Sequence, residues 1–325
     1  MPFKAKQSYR HKFKRSQYRP RNWREYDRAL KRRGDITFLF EDNALKRWKQ
    51  GHTGKKSPGG QVQYSDLAIQ IIYTLRLLHN LPLRQLEGYM GFLMKLLKLN
   101  LQVPHYSTVS RRAPKLKIKT SIPETKDGED LVVMVDSTGL KVMGEKEWMK
   151  YKHGTKRRRI WRKLHICIDD EGMILSSSLT TLHESDDSQI NYLLGKVNGK
   201  IGKVLGDGGY TSGHVEKVLH GKRGEVEAEV VIPPGKGSVP SGKEDPTLRD
   251  QHIKRIAEIG KKSWQKASGY NARSKVENTF FRYKTLIGRK LKAKRLDTQE
   301  VETEIGCLIL NHFTKLGMPI SERIS

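Results

Sequence analysis

The sequence predicts an α/β protein in which a mixed sheet is flanked by helices and preceded by a helical region and a basic arm. Three observations predict it. Apolar and β-branched runs ending near Asp136, Ile168 and Leu179 follow one another in hairpin order, and strands then alternate with helices, the order of a mixed sheet. From Ser65 to Arg112 the apolar residues instead recur at helical spacing. Ahead of both, Pro2 to Arg33 hold thirteen Lys or Arg against two acids. The expected boundaries are 1–60 for the arm, 61–115 for the helical region and 116–325 for the sheet domain.

The arm is too charged to build a core and is expected to be disordered when free. Its interleaved Tyr9, Phe13, Tyr18 and Trp23 either pack against a partner on binding or merely punctuate a basic tail. TGKKSPGG, Thr53 to Gly60, is a loop by its Gly and Pro content. Ser65 is placed to cap a helix carrying Leu67, Ala68, Ile71, Ile72, Leu75 and Leu78 on one face. After a break at Leu81-Pro82 a second helix is expected over Leu83 to Leu99. A short basic helix then runs from Tyr106 through Arg111 and Arg112 until Pro114 stops it. The group is either a helix-turn-helix type reader, with Arg111 and Arg112 at a groove, or a bundle bracing the sheet domain.

Lys115 to Glu129 form a Lys-rich linker. Strands are expected over Leu131–Asp136, Ile160–Ile168 and Ile174–Leu179, followed by a helix over Asp187–Val197 and strands over Lys203–Asp207 and Glu229–Ile232. KYKHGTKRRRIWRK, Lys150 to Lys163, has eight basic residues and no acid; we expect a clamp on a polyanion backbone through Lys156, Arg157, Arg158 and Arg159. Trp161 either stacks on a base or is buried in the sheet, burial being the better expectation. Asp169-Asp170-Glu171-Gly172 is a hairpin turn, and Asp186 and Asp187 are expected to cap the next helix, so neither cluster enters the site. Pro233 to Asn271, with PPGKGSVPSGKEDP, is expected to be a flexible loop over the site. Gln299 to Leu316 close the chain as an apolar helix.

Composition narrows the partner. With 63 Lys and Arg against 35 Asp and Glu the formal charge is +28, which calls for a polyanion, DNA or RNA, bound through phosphate neutralisation. Two cysteines, Cys167 and Cys307, are too few for a zinc site or a disulfide framework and are expected to be buried thiols. No apolar run reaches the roughly twenty residues that cross a bilayer, and no secretory signal is recognisable, so a cytoplasmic protein is expected.

The candidate site rests on three acids. Asp136 in VVMVDSTGL and Asp207 in GKVLGDGGY each end an apolar strand, where side chains reach a sheet-edge site. Each also has a plainer reading, an Asx turn with Ser137 and Thr138 or a turn set by Gly208 and Gly209. In YNARSKVENTFFRYK, Tyr270, Arg273, Glu277 and Lys284 share one face of the expected helix Tyr270–Lys290. A carboxylate there suits a hard divalent cation, while Arg and Lys suit phosphate oxygens.

Tyr270-x2-Arg273-x3-Glu277-x6-Lys284, with VDSTGL and GDGGY ahead of it, resembles the DDE transposases of bacterial insertion sequences, of the insertion-sequence-five type. LPLRQLEGYM and VPHYSTVSRR look like that family's segment ahead of the catalytic domain, so the likeness covers roughly residues 60 to 315. His105 and Thr211 stand where acids are frequent in the family; neither touches the three ligands.

The resemblance implies a ribonuclease-H-like fold, Asp136, Asp207 and Glu277 as catalytic metal ligands, and Tyr270, Arg273 and Lys284 serving DNA. It further implies two Mg²⁺ ions, with Mn²⁺ as a substitute, and double-stranded DNA partners: terminal inverted repeats and a target. A homo-oligomer, a dimer for preference, would work near the bacterial nucleoid. Water would cut at the element's end and the freed 3′-hydroxyl would attack target DNA. The rivals are a nuclease of the same fold that does not join DNA and a repressor derived from a transposase.

Overall fold

A computed structural model describes residues 18–40, 42–49, 63–118, 130–142, 160–223, 228–235 and 237–324. The expected clamp residues Lys156, Arg157, Arg158 and Arg159, the Lys-rich linker from 119 to 129, and residues 1–17 and 50–60 of the arm lie outside the described residues. The chain divides into two contact units, Leu39–Asn311 and a smaller one of Met1–Phe38 with His312–Ser325. In the smaller unit β1 (Tyr18–Pro20) pairs antiparallel with β8 (Ser321–Arg323), beside α1 (Trp23–Arg32). Arg33 Nη2 donates to Gly317 O at 2.8 Å, tying the segment after α1 to that before β8.

The larger unit opens with α2 (Asp42–Lys46), α3 (Asp66–Leu78), α4 (Leu83–Leu96) and α5 (Tyr106–Arg112). Ser65 Oγ accepts from Ala68 N at 3.1 Å, the expected N-cap of α3. The expected single apolar face of α3 is corrected: Ile69, Tyr73, Thr74, Arg76 and Leu77 are buried too, because α3 is enclosed by its neighbours. Leu83 opens α4 as expected, but the helix stops at Leu96, where Lys98 turns to φ 53° and breaks the ladder. His105 Nδ1, standing where an acid was expected, caps α5 by accepting from Ser107 N at 3.4 Å.

The sheet follows: β2 (Leu131–Val142), β3 (Trp161–Ile168), β4 (Ile174–Thr181), α6 (Ile190–Gly195), β5 (Ile201–Leu205), α7 (Ser212–Arg223) and β6 (Glu229–Val231). Its order is β4-β3-β2-β5-β6, with β2, β3 and β4 antiparallel and β5 and β6 parallel to β2 and to each other. That order and those directions are the ribonuclease-H-like arrangement. β2 runs six residues past Asp136, paired by β3 along that stretch and, at Lys141–Val142, by the two-residue β7 (Lys290–Leu291).

Alternation divides the sheet residues between two cores. Val133, Val135, Cys167 and Val204 pack with Ile190, Leu193, Val215 and Leu219 of α6 and α7. Met134, Leu164, Ile166 and Leu205 pack on the opposite face with Trp264, Val276, Phe280, Cys307 and Leu310. The latter residues belong to α9 (Lys261–Ala267), α10 (Ser274–Leu286) and α11 (Leu296–Leu316), so the sheet lies between two helical layers. Both cysteines are buried.

The expected flexible loop from Pro233 to Asn271 is corrected over its second half, where α8 (Leu248–Ile259) and α9 form. Thr247 and Asp250 make a reciprocal capping box at the start of α8, and Trp264 anchors α9 in the core at 2 % exposure. The Gly and Pro residues ahead of Thr247 masked that start signal. Trp161 is half-buried against Gly139, where a Cβ would stand 3.2 Å from its ring. Among the described residues no helix is long and apolar enough to cross a membrane.

Gly306 on α11 lets that helix meet α10: a Cβ there would stand 2.8 Å from both Cε2 and Oη of Tyr283, itself 3 % exposed. Ala gains up to about 1 kcal/mol of helix propensity over Gly. Overpacking a core typically costs about 1–3 kcal/mol, and this ring cannot swing away as a flexible chain end can. The expected result for Gly306→Ala is a lower urea midpoint with unchanged slope.

Candidate active site

Asp136 and Asp207 come together through strand register. The parallel pairing of β2 with β5 ends at Met134 opposite Leu205, and each acid stands two residues beyond that last pair. Here β5 ends while β2 continues against β3, and the two carboxylates stand level with one another just beyond the parallel pairing. The turn reading holds at Asp207, whose Oδ1 accepts from Gly209 N at 2.8 Å, and is corrected at Asp136, which lies inside extended β2 with its Oδ1 accepting from Ser137 N at 2.8 Å. In each acid one oxygen is held by a backbone N–H and the other is left for the site.

The third acid arrives from the helix layer. Val276, Thr279, Phe280 and Tyr283 form the buried stripe of α10, and Glu277 flanks that stripe on an exposed turn. The expectation of one helix from Tyr270 to Lys290 is corrected. Gly269, at φ 69°, starts a 3₁₀ turn over Tyr270–Arg273, and the α-helix begins only at Ser274 and ends at Leu286. The break rolls Tyr270 onto the core, with its ring 5.6 Å from that of Trp264, rather than aligning it with Glu277 and Lys284.

Arg273 is the hub. Its Nη2 donates to Asp136 Oδ2 at 2.9 Å and lies 3.9 Å from Asp207 Oδ2, while Nη1 donates to Glu277 Oε1 at 2.5 Å. Three carboxylates from three separate elements therefore converge on one cation. Asp136 is 8 % exposed, and burial pushes its carboxyl from an ordinary 3.8 up to about 6. Arg273 and the Ser137 N–H oppose that rise, whereas Asp207 and Glu277 add to it.

Among the described residues no three carboxylate, imidazole or thiol groups are arranged to hold a metal ion as they stand. The position central to the three acids is taken by the Arg273 guanidinium. The donor chemistry nevertheless fits a hard divalent cation: oxygen ligands only, converging on a point where the protein already places a positive charge.

Lys284 stands two helical turns beyond Glu277, and its Nζ donates to Thr138 Oγ1 at 2.5 Å, next to the acids along β2. Burial lowers its pKa, as does the nearby Arg289. Thr138 was read in the sequence only as a turn partner of Asp136; two residues after it on extended β2, it lies on the same strand face. Arg112 donates to Tyr64 O at 2.7 Å and Asp66 Oδ1 at 2.5 Å, joining the end of α5 to the start of α3, while Arg111 is exposed.

The helix-cap reading of Asp186 and Asp187 is overturned, because neither caps the turn that follows. Asp186 Oδ1 pairs with Lys163 Nζ at 3.0 Å. Asp187 accepts from Thr211 N at 2.7 Å and bonds His214 Nδ1 at 2.6 Å, pinning the end of the Asp207 turn. The expected turn at Asp169 does form, its Oδ1 accepting from Glu171 N and Met173 N.

Residues 127–312 match a family model described as a transposase DDE domain, and residues 31–145 match a second model of the same description. Among solved structures, the Drosophila P element transposase strand transfer complex aligns over 89 % of this chain and 86 % of that chain. Its identity is 10 % and its TM-score 0.26, a likeness too slight to carry an argument.

Proposed function

The chain belongs to the transposase DDE-domain family, and on that premise we propose that it cuts DNA at the ends of an insertion sequence and joins the freed 3′ ends to target DNA. The observation that carries the reading is the convergence of Asp136, Asp207 and Glu277 on the single guanidinium of Arg273. In this reading the three acids hold divalent metal, Mg²⁺ or Mn²⁺, as a pair of ions. Bound there, the metal supplies Lewis acidity that favours the attacking oxyanion and takes up charge on the leaving oxygen.

The chain's own groups do the rest. Asp136 on its strand and Asp207 in its turn each have one oxygen held by a backbone N–H, so their free oxygens are held in place without reorganisation. Arg273 has two partners of like chemistry, the carboxylates it holds here and a DNA phosphate. Lys284, tethered to Thr138, is the point charge for the backbone next to the cut, and Tyr270, half-buried against Trp264, serves DNA beside it. Arg111 faces solvent and is the better groove contact of the two α5 arginines. The terminal inverted repeats are the substrate, and a homo-oligomer handles two ends together.

The test uses purified protein, Mg²⁺, a labelled duplex carrying the element's own end and a supercoiled plasmid, with Glu277→Gln in parallel. We expect labelled DNA to become covalently joined to the plasmid with the parent protein only. Cleavage without joining would replace this reading with a nuclease, and binding without either would replace it with a repressor.

A further inference from the structure

One cationic surface of the smaller unit belongs to no role so far described. α1 buries a single residue, Ala29, and turns Arg24, Arg28 and Arg32 to solvent. Steps of four residues, at about 100° per residue, set these three side chains in one row along the helix, each step rising roughly 6 Å. Among the described residues none of the three is in an ion pair, whereas Lys31 beside them is held by Asp27 at 2.8 Å.

Two features set the row apart from an ordinary solvated helix face. Like charges four residues apart destabilise a helix, and Arg24 stands in the first turn, where the helix dipole already presents positive charge. No ion pair among the described residues offsets that cost. The row also opens into a groove of about 680 Å³, where Arg19, Arg21, Arg24 and Trp23 stand against Glu25 and Glu322. Arg21 engages Glu322 at 3.4 Å, and Trp23 is 56 % exposed. The described parts of this unit, residues 18–38 and 312–324, hold nine Lys or Arg against four acids, so the surface calls for an anion. β1, β8 and all but the last two residues of α1 lie outside the segments that match the family models.

We propose that α1 and the β1–β8 ribbon form a second grip on duplex DNA, in which Arg24, Arg28 and Arg32 take phosphates of one strand and the groove takes the adjoining backbone. The inference rests on the DNA reading above and adds to it a contact in the smaller unit. Guanidiniums in a row are charge-assisted donors to successive phosphate oxygens, and backbone contacts of this kind carry no sequence preference. Trp23 supplies the apolar wall on which a deoxyribose packs. The plainer role, charge that only keeps the chain soluble, gives a different pattern of variants.

The experiment measures binding of the full-length protein to a fluorescent DNA duplex of arbitrary sequence by anisotropy, from about 50 to 200 mM NaCl. Arg24→Gln/Arg28→Gln/Arg32→Gln is compared with the parent and with Arg24→Lys/Arg28→Lys/Arg32→Lys, folding being checked by circular dichroism. A control, Lys196→Gln/Lys200→Gln/Lys217→Gln, removes three exposed charges from the larger unit. Each phosphate contact contributes about 0.9 to the slope of log affinity on log salt, so the glutamine triple at α1 is expected to lose about 2.7 of that slope. The lysine triple, which keeps the charges, is expected to keep the parental slope. A parental slope in the glutamine triple overturns the inference. An equal loss in the larger-unit control overturns it in favour of net charge, and a loss on duplex RNA without one on duplex DNA overturns it in favour of an RNA contact. A parent that binds no duplex removes the DNA reading itself. Should the glutamine triple not fold, Arg24→Gln/Arg28→Gln is read by the same criteria, with an expected loss of about 1.8.

Discussion

Asp136→Asn is expected to lower both cleavage and joining by about 1000-fold or more, while the metal-free protein stays at least as stable as the parent at pH 7.5. The two halves of this result have one cause. Asp136 is the most buried of the three acids, set on β2 just beyond its last pair with β5, beside Asp207, and tied by Arg273 to Glu277. An ion site that loses such a ligand forfeits several kcal/mol of transition-state stabilisation, and each 1.36 kcal/mol is about tenfold in rate. The same burial makes the ionised carboxylate costly before metal arrives, and Asn removes the charge while keeping the shape. Strand-transfer rates and urea midpoints for the two proteins check both halves. A stable variant with parental activity would remove Asp136 from the site.

Divalent metal is expected to stabilise the protein far more at pH 7.5 than at pH 5, with the change centred near pH 6. The sign follows from the raised carboxyl of Asp136, displaced from 3.8 to about 6 chiefly by burial. A raised pKa means the folded protein binds the proton more tightly than the unfolded chain. The corresponding stability is complete below the unfolded value and is lost as pH rises through about 6. Two pKa units correspond to about 3 kcal/mol at a side chain only 12 % exposed. A bound cation counters that loss, and binding below pH 6 must expel a proton. Melting temperatures with and without Mg²⁺ across pH 5 to 8 measure the effect. The Mg²⁺-induced increment should shrink toward pH 5 in the parent and stay nearly flat in Asp136→Asn; a flat increment in the parent would separate the metal from Asp136.

Most of the site was legible because its parts are local. An acid at the end of an apolar strand followed by Ser-Thr or Gly-Gly can be read from a dozen residues, and so can the spacing of Arg273, Glu277 and Lys284 on a helix. What escaped depends on contacts distant in sequence. Tyr270 was expected in line with Glu277, but the left-handed Gly269 turned it onto Trp264. Asp186 and Asp187 resemble helix caps in any local window; only the folded chain brings them to Lys163 on β3 and to Thr211 and His214 beyond β5. The α8 start was written in Thr247 and Asp250, and the glycines and prolines before it obscured the signal.

The sequence by itself determined the order of most strands and helices, the basic surplus that calls for a polyanion, and the choice of three acids as candidates, since these follow from periodicity, charge and spacing along a few residues. Tertiary structure alone decided that Asp136 and Asp207 stand level beyond the last parallel pair, that one arginine serves three carboxylates, and that Asp186 pairs with Lys163 on β3. The reason is physical: register and burial are set by packing between segments tens of residues apart, and a carboxylate's partners, unlike its helix or strand, are not encoded in its neighbours.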